Sequence, residues 1–523
     1  MEQQTGLPRR VKKFGVMGLV LLAGNIYGLG QNAAPQPVQP ADAMTTAVHE
    51  LQEEVRELRN AVGELRSEAG QYRAETEQLR RQLDATRSSG AAPSAAPDTA
   101  AATESPNAAQ AAPGEGGLGE RVASLEESSQ LLSSKIDDQY QTKIESASKY
   151  RMRLSGIVLL NVFSNHGSVD NQDFPTWAIP ASANLPTMAL GASLRQSEIG
   201  FEVFGPRLAG AKTSGNLQVD FSGGFTNTPG GVNFGLVRMR IASLRMDWKN
   251  TSVVAGQDNA FISPLSPTSF ASLAVPAFGY AGNLWGWIPQ VRVEHRFAVR
   301  SGQTITLQGG MMDNITGELP ASTFERAAQA GESSGQPAYV ARVSWTRTVF
   351  GMPLTLGTAG YYSRQNWNLN QHVDGWAGMT DWNIPLSQRV SLSGEFYRGK
   401  AIGGLGGGVG RSVLFSSDTN GQVQPLNSVG GWSQLKFRAT NKLEFNGAFG
   451  LDSPYAADVR TYPVSPNYVP SLLLQNRSAM VNFIYRPRSD LLFSGEYRYL
   501  RTFDLDAGSP TSEQVNLMMG ILF

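Results

Sequence analysis

Charged side chains recur at every second residue of several short segments between residues 238 and 438, where they could recognise ions. The set is Arg238, Arg240, Arg292, Glu294, Arg296, Arg342, Lys436 and Arg438. Residues two apart share one face of a β-strand. If that face is wet, its excess of guanidinium groups favours anions. Arg–Glu ladders that only stiffen a wall are the alternative, and both interpretations stay open.

A long, apolar segment between two of these strands is the second candidate. The segment 259–287 contains three prolines that limit its flexibility, and Trp285 and Trp287 lie at its end. A loop this apolar is more easily placed inside a barrel than in water, so we expect it to narrow a lumen. A contact loop between subunits is the alternative. The expected constriction residues are Ser263, Ser266, Thr268, Ser269, Phe270, Trp285 and Trp287.

Catalytic chemistry has little support in the sequence. The chain has no cysteine, and its four histidines lie at no metal-ligand spacing. The glycine-rich run 403–411 resembles a phosphate loop, but no helix is predicted after it, so we expect a flexible external loop. We therefore expect no catalytic residue, no metal and no cofactor, and we do not expect an enzyme.

The segments that carry the charged residues alternate between apolar and polar residues from Arg151 onward. This period is typical of β-strands with one apolar face. Sixteen strands are predicted, at 151–163, 193–204, 214–222, 234–248, 251–258, 288–298, 303–313, 338–348, 353–363, 373–383, 388–399, 430–440, 442–452, 476–486, 490–501 and 513–523. In strand 234–248 the apolar residues change parity, which predicts a β-bulge near Ala242 and Ser243.

The connections between these strands alternate in length. Those after even-numbered strands are short, with 205–213 the longest, and those after odd-numbered strands are mostly long. This alternation is typical of an up-and-down transmembrane barrel with periplasmic turns and external loops. The last strand, 513–523, carries an apolar residue at every second position and would close the barrel against the first strand. The many charges on the other face imply a wet interior.

The residues before the barrel divide into four parts. A basic start and an apolar stretch predict a signal peptide over 1–30. Heptads predict a coiled-coil stalk over 31–87, and an Ala/Pro/Ser-rich composition predicts a disordered linker over 88–117. A second, weaker heptad run over 118–148 leads into the barrel at 149–523. The predicted fold class is therefore an all-β transmembrane barrel of about 16 antiparallel strands, preceded by an α-helical coiled-coil stalk.

The predicted stalk is acidic, and its heptads predict that copies of the chain associate. Residues 31–148 contain ten basic and nineteen acidic residues, a net charge of −9, whereas 149–523 contain thirty basic and twenty-four acidic residues. In the stalk, Val predominates at the first a positions of the heptads and Leu at the first d positions, a pattern that favours two strands. The barrel points to three, and the sequence leaves this choice open.

Short motifs in this architecture resemble those of outer-membrane porins. The barrel opens with Arg153-Leu154-Ser155-Gly156, its second strand contains the run 195–201 (RQSEIGF), its fifth ends in Gly256-Gln257-Asp258, and the chain ends at Phe523. With the heptad stalk, the chain is similar to the phosphate-selective porin O/P and DcaP-like families. That resemblance implies a trimeric sixteen-stranded barrel with a periplasmic coiled coil. The phosphate-specific members use an arginine ladder, which Arg238 and Arg240 could begin. They also use a lysine cluster, whereas this barrel region has six lysines.

The expected function is that of an outer-membrane porin through which small hydrophilic solutes, with a bias to anions, diffuse passively. The expected location is the bacterial outer membrane, with the stalk in the periplasm. Expected partners are outer-membrane lipid, further copies of the chain in a homotrimer (or a dimer through the stalk), small solutes and, through the stalk, the cell wall. No nucleic-acid partner is expected. A barrel-anchored periplasmic tether and, with less support, an outer-membrane hydrolase are the alternatives.

Overall fold

The structure, a computed structural model, describes residues 143–144 and 151–523, except 183, 226–234, 300–301, 319–325, 368–370, 417–420, 463, 465–472 and 507. Sixteen strand positions form one sheet. They are β1 (Arg151–His166), β2 (Met188–Ser193 and Glu198–Leu208), β3 (Ala211–Asp220), β4 (Arg238–Asp247), β5 (Thr251–Asn259), β6 (Trp287–Val299), β7 (Gln303–Met312), β8 (Ala338–Val349), β9 (Met352–Trp367), β10 (Gln371–Pro385), β11 (Val390–Lys400), β12 (Asn427–Arg438), β13 (Leu443–Pro454), β14 (Leu473–Arg488), β15 (Leu491–Asp504) and β16 (Thr511–Leu522).

Each strand pairs with its sequence neighbours in antiparallel orientation, and the sheet closes between its two ends. β1 pairs with β16, with Ile157 opposite Leu522 and His166 opposite Glu513. Both segments of β2 pair with β1. The predicted sixteen-stranded antiparallel barrel is confirmed. Closure leaves no sheet edge unpaired, which is the arrangement that satisfies the backbone of a spanning sheet in lipid.

The two faces of the wall differ in chemistry as the alternation predicted. On β16, Leu517 and Ile521 point outward and are 60% and 54% exposed. Asn516, which precedes Leu517, points inward and is 0% exposed. Val158, Leu244 and Val481 belong to the same exposed apolar surface on other strands. An apolar surface this extensive is unfavourable in water and is typical of a protein that faces lipid.

The short connections gather at one end of the barrel, called here the turn end, and the long ones at the other, the loop end. The connection predicted at 205–213 is shorter in the structure, because β2 extends to Leu208 and β3 begins at Ala211. Ala209 and Gly210 form the two-residue turn with φ of 49° and 79°. Positive φ at both central residues is the type I′ geometry that suits the twist of a hairpin.

The predicted bulge is present but lies nearer the start of β4. Gln218 pairs with Ile241 and Val219 pairs with Met239, so Arg240 is the extra residue. The prediction placed the bulge near Ala242 and Ser243, and the extra residue lies two positions before Ala242. A change of parity in the sequence shows that a bulge exists, but it does not fix which residue is left without a partner.

Elements outside the barrel wall are short. They comprise the 3-10 helices Glu332–Ser334 and Gly403–Leu405, the helices α1 (Gly407–Gly410) and α2 (Ala456–Thr461), a hairpin of Val413–Phe415 with Val423–Pro425, and the strand Lys143–Ile144 beside β1. Among the described residues, no helix has the length and hydropathy needed to cross a membrane. The predicted signal peptide, stalk and linker, and most of the second heptad run, lie outside the described residues.

Candidate functional site

The loop between β5 and β6 crosses the interior of the barrel. It leaves β5 after Asn259 and re-enters the wall at Trp287. On the far side, the Ser263 hydroxyl donates to the Glu395 carboxylate of β11 at 2.6 Å, and the Leu265 amide donates to the same carboxylate at 2.8 Å. Glu395 is 2% exposed, so the loop supplies hydrogen bonds that a buried carboxylate requires.

Further hydrogen bonds continue around the inner wall. The Thr268 amide donates to Gln434 of β12 at 2.6 Å, and the Ser269 hydroxyl donates to Glu496 of β15 at 2.6 Å. Gln196, which lies between the two segments of β2, donates to the Ala271 carbonyl and accepts from the Leu273 and Ala274 amides. The loop therefore contacts the inner face on several sides of the barrel. Its role in narrowing a channel stays a prediction.

The remaining predicted loop residues have separate roles in packing. The Ser266 hydroxyl accepts from the Asn283 amide at 3.1 Å. Phe270 packs against an inner apolar cluster, with the Arg486 guanidinium 5.7 Å from its ring centroid. Trp285 contacts Trp287 edge-on at 5.3 Å. The loop is thus fastened by apolar contacts as well as by hydrogen bonds.

Two of the predicted arginines meet the loop on β4. Arg238 pairs with Asp220 of β3 at 2.6 Å and donates to the Ala274 carbonyl at 2.6 Å. Arg240 pairs with Glu198 and lies 3.9 Å from Asp220. Both guanidinium groups cover the ring of Trp287, at 4.8 and 4.6 Å from its centroid. Contact with an aromatic face and a carboxylate together fixes both arginines.

The predicted residues on β6 form a second charged group. Arg292 pairs with Asp258 and with Glu294, both at 2.9 Å. Arg296 lies 3.8 Å from Glu294 and donates to the Ser252 hydroxyl at 2.8 Å. Glu294 therefore accepts from several cations at once, and this side of the interior is close to charge balance.

The other predicted cations are spread along the wall. Arg342 pairs with Asp381 at 2.8 Å, with side-chain exposures of 8% and 1%. Lys436 lies 3.4 Å from Glu444. Arg438 is exposed at the turn end, where its guanidinium contacts the Met352 sulfur at 3.5 Å. The structure thus brings together the β4 and β6 arginines, and it leaves Arg342, Lys436 and Arg438 apart from them.

The sequence interpretation missed most of the carboxylates that face these arginines. They include Glu198, Asp220, Asp258, Asp381 and Glu496, of which Glu496 pairs with Arg498 at 2.6 Å. Asp220 and Asp258 lie on a strand adjacent to that of their arginine, and Glu496 lies two residues from Arg498. Glu198 and Asp381 lie two strands away from their arginines, Arg240 and Arg342. Their inward parity was available in the sequence, but cross-strand partners depend on register, which alternation alone does not fix.

The glycine-rich run is packed, which contradicts the flexible external loop predicted for it. Leu405 is 2% exposed, and its carbonyl accepts from the Trp285 amide at 3.0 Å. Gly406 and Gly408 have φ of 84° and 63°. Glycine allows the tight path that seats this segment against the β5–β6 loop. Two loops therefore share the loop end of the interior.

Comparisons with known proteins support the fold. No protein-family model and no curated protein sequence matches the chain. Its structure is similar to the crystal structure of the outer membrane channel DcaP of Acinetobacter baumannii, with a TM-score of 0.56, 16% identity, and coverage of 73% of this chain and 100% of that one. The anion-selective porin from Comamonas acidovorans has a TM-score of 0.43 and 12% identity, with coverage of 72% and 100%. OprB of Pseudomonas putida has a TM-score of 0.42 and 12% identity, with coverage of 71% and 94%.

At 16% identity, the likeness to DcaP establishes a shared barrel fold. The resemblance to porins expected from the sequence is therefore confirmed for the fold of the barrel. The chemistry of the interior must be argued from the residues of this chain.

Proposed function

We propose that the protein is an outer-membrane porin through which small hydrophilic solutes diffuse passively. The observation that carries this proposal is the closed wall with an apolar outer face and many ionised side chains on its inner face. Ionised groups are stable in the interior only where partners or water compensate for lost hydration. A wet interior with both ends of the wall open to water is a route for solutes.

The narrowest part of this route is proposed to lie between the β5–β6 loop and the wall of β3 to β6. There Arg238, Arg240 and Arg292 face the loop, and Trp287 and Phe261 supply flat apolar surfaces. The loop residues expected to form the constriction are held to the opposite wall through Ser263, Thr268 and Ser269. A fixed loop gives the opening a defined size.

The bias to anions is proposed to follow from the net charge of the barrel region. Residues 149–523 contain thirty basic and twenty-four acidic residues. Because Arg238, Arg292 and Arg342 each pair with a carboxylate, they contribute less to an anion preference than unpaired arginines would.

Planar-bilayer recording of the purified mature protein tests both parts of this proposal. We expect stepwise conductance increases and, in a salt gradient, a reversal potential of the sign that anion preference requires. A protein that inserts but gives no conductance steps would contradict the porin function. Conductance with a cation-selective reversal potential would contradict only the anion bias.

The assembly proposed is a homotrimer in outer-membrane lipid, with the N-terminal stalk in the periplasm, where it could contact the cell wall. The heptad pattern before the barrel supports self-association, and the barrel itself favours three copies. The even number of strands, which starts and ends the wall at one end, supports the placement of the stalk. A dimer through the stalk is the alternative. Light scattering of the protein in detergent, corrected for bound detergent, distinguishes three copies from two or one.

A periplasmic tether remains the second candidate, and one observation favours it. The β5–β6 loop and the 401–426 segment pack together at the loop end, where residues such as Ile262, Leu284 and Leu414 are at most 2% exposed. A barrel filled in this way could serve only as an anchor. The same bilayer recording separates the two functions, since an anchor conducts no ions.

A further inference from the structure

The charged residues of the inner face are distributed unevenly along the barrel axis. The basic residues that face inward by their register near the turn end include these eight: Arg151, Arg153, Lys212, Arg245, Arg296, Lys436, Arg438 and Arg486. Three inward carboxylates accompany them, on Glu202, Asp247 and Glu444. We call these eight basic residues the basic vestibule.

Several cations of the basic vestibule have no charged partner. Among the described residues, Arg151, Lys212, Arg438 and Arg486 form no ion pair with a carboxylate, and all four are exposed. Arg153 has a partner in Glu202 at 3.6 Å, but its side chain is 58% exposed. These positive charges are therefore accessible to solvent at the turn end.

The charged side chains deeper in the barrel are paired with a carboxylate and are buried. Asp220, which neutralises Arg238, is 0% exposed, and Arg342 and Asp381 are 8% and 1% exposed. At the loop end, Arg195 pairs with Asp173 at 3.1 Å with exposures of 7% and 14%. A paired, buried arginine has a short-range field, because its carboxylate cancels the charge seen from a distance. Among the described side chains that face the interior, exposed and unpaired positive charge is therefore concentrated at the turn end.

From this asymmetry we infer that the basic vestibule, rather than the arginines beside the β5–β6 loop, sets the anion preference of the channel and makes its current unequal in the two directions. The inference rests on the proposed porin function and deepens it. Positive charge in a confined mouth raises the local anion concentration. Current is larger when anions enter from the turn end, because that mouth supplies them at the higher concentration.

Salt dependence follows from the same geometry. Exposed charges are screened over a Debye length of about 10 Å at 0.1 M salt and about 3 Å at 1 M. Both the anion preference and the inequality of the current therefore weaken at 1 M. Anion selectivity produced by direct contact at a narrow constriction would persist in 1 M salt.

The absence of cysteine from the chain permits a sharp experiment. The variants are Arg438→Cys and Arg486→Cys, made together in the otherwise native mature chain, and single channels are recorded in symmetric and graded potassium chloride. Each channel is then treated with a positively charged methanethiosulfonate, which restores the two charges, or with a negatively charged one, which reverses them. The matched control is Arg347→Cys, an exposed turn-end arginine opposite Leu354 on the outer face of the wall.

We expect the double variant to lose anion preference by about twofold per removed charge at 0.1 M salt, an estimate for a unit charge about 10 Å away in water. The positive reagent restores the preference and the unequal current, and the negative reagent inverts both. The control variant keeps the native values with either reagent. Restoration by the positive reagent shows that the double variant folds.

Three outcomes would overturn the inference. One is native anion preference in the double variant, with conductance retained, which leaves the porin function intact. Another is a change of the same size with both reagents, because that reports side-chain volume and not charge. Absence of conductance in the unsubstituted protein would remove the porin function and this inference together.

Discussion

At the scale of single residues, the interior is built from opposite charges that neutralise one another. Arg342 and Asp381 show this most clearly, since both are nearly inaccessible and the guanidinium also donates to Gln308 at 3.0 Å. Asp381 lies directly across the sheet from Glu395, which is 2% exposed. Arg342 therefore binds one of two buried carboxyl groups that lie side by side in the wall.

Removal of the Arg342 charge alone should lower the free energy of unfolding strongly. Removal of the Arg342 and Asp381 charges together should lower it much less. We expect Arg342→Met to lower the free energy of unfolding by about 3 kcal/mol, since it leaves a buried carboxylate without a counter-charge. The Arg342→Met, Asp381→Asn double variant should recover most of that loss. Urea titration of the protein in detergent, followed by intrinsic fluorescence, measures both values.

The exposed pair of Arg364 and Asp374 supplies the control for this experiment. Their side chains are 44% and 53% exposed at a separation of 2.8 Å. Because water and salt screen such pairs, Arg364→Met should change the unfolding free energy by less than about 1 kcal/mol. Equal losses at the two sites would show that burial does not govern these pairs.

At the scale of elements, the β5–β6 loop depends on close approach to the wall. Gly282 has φ of 100°, and a Cβ added there would collide with the Gly431 and Leu451 carbonyl oxygens of β12 and β13. On the other side of this contact, Gly450 faces the Ala281 carbonyl and the Phe278 ring. Two glycines thus allow loop backbone to lie directly on strand backbone, a contact that larger residues would prevent.

Substitution of Gly282 should therefore displace the loop without affecting the barrel. We expect Gly282→Ala to give larger or noisier single-channel currents, because the loop can no longer rest against β12 and β13. The comparison variant is Gly224→Ala, where φ is 114° but nothing lies within 4 Å of the added Cβ. Both carry the backbone strain of positive φ, so a current change in the Gly224 variant as large as that in the Gly282 variant would assign the effect to strain.

The sequence predicted the strands of the barrel, but it did not predict the contacts between them or the packing of the loops. Strand number and inward parity followed from alternation, because a one-residue slip would turn apolar side chains such as Leu517 and Ile521 into the polar interior. The partners of Arg238 and Arg292 did not follow, since Asp220 and Asp258 reach them only in one register. The folding of 403–411 was also missed, because the hydrogen bond from the Trp285 amide to the Leu405 carbonyl is a tertiary contact that local composition does not encode.

At the scale of the whole molecule, every strand position of the closed wall comes from within 151–522. The closing pairs run from Ile157 opposite Leu522 to His166 opposite Glu513. The terminal Phe523 amide and carbonyl bond to Gly156 at 3.1 and 2.8 Å. The barrel region therefore contains all the partners that its own closure requires.

This self-sufficiency predicts that the barrel folds without the predicted stalk. A chain of residues 149–523 should refold in detergent to a form that migrates faster than the boiled sample in gel electrophoresis, since the unboiled barrel keeps its compact sheet. It should also give the single-channel conductance of the mature protein, because the conducting residues lie in the wall and the β5–β6 loop. Its association into oligomers should weaken, because the heptads that we expect to join the copies are missing.

A shortened chain that ends at 514 and so loses most of β16 is the control, since it opens an edge along β1 and β15 and should show no heat-dependent shift. If the 149–523 chain behaves like that control, residues before the barrel are needed to form the wall and the division of the chain proposed from its sequence is wrong.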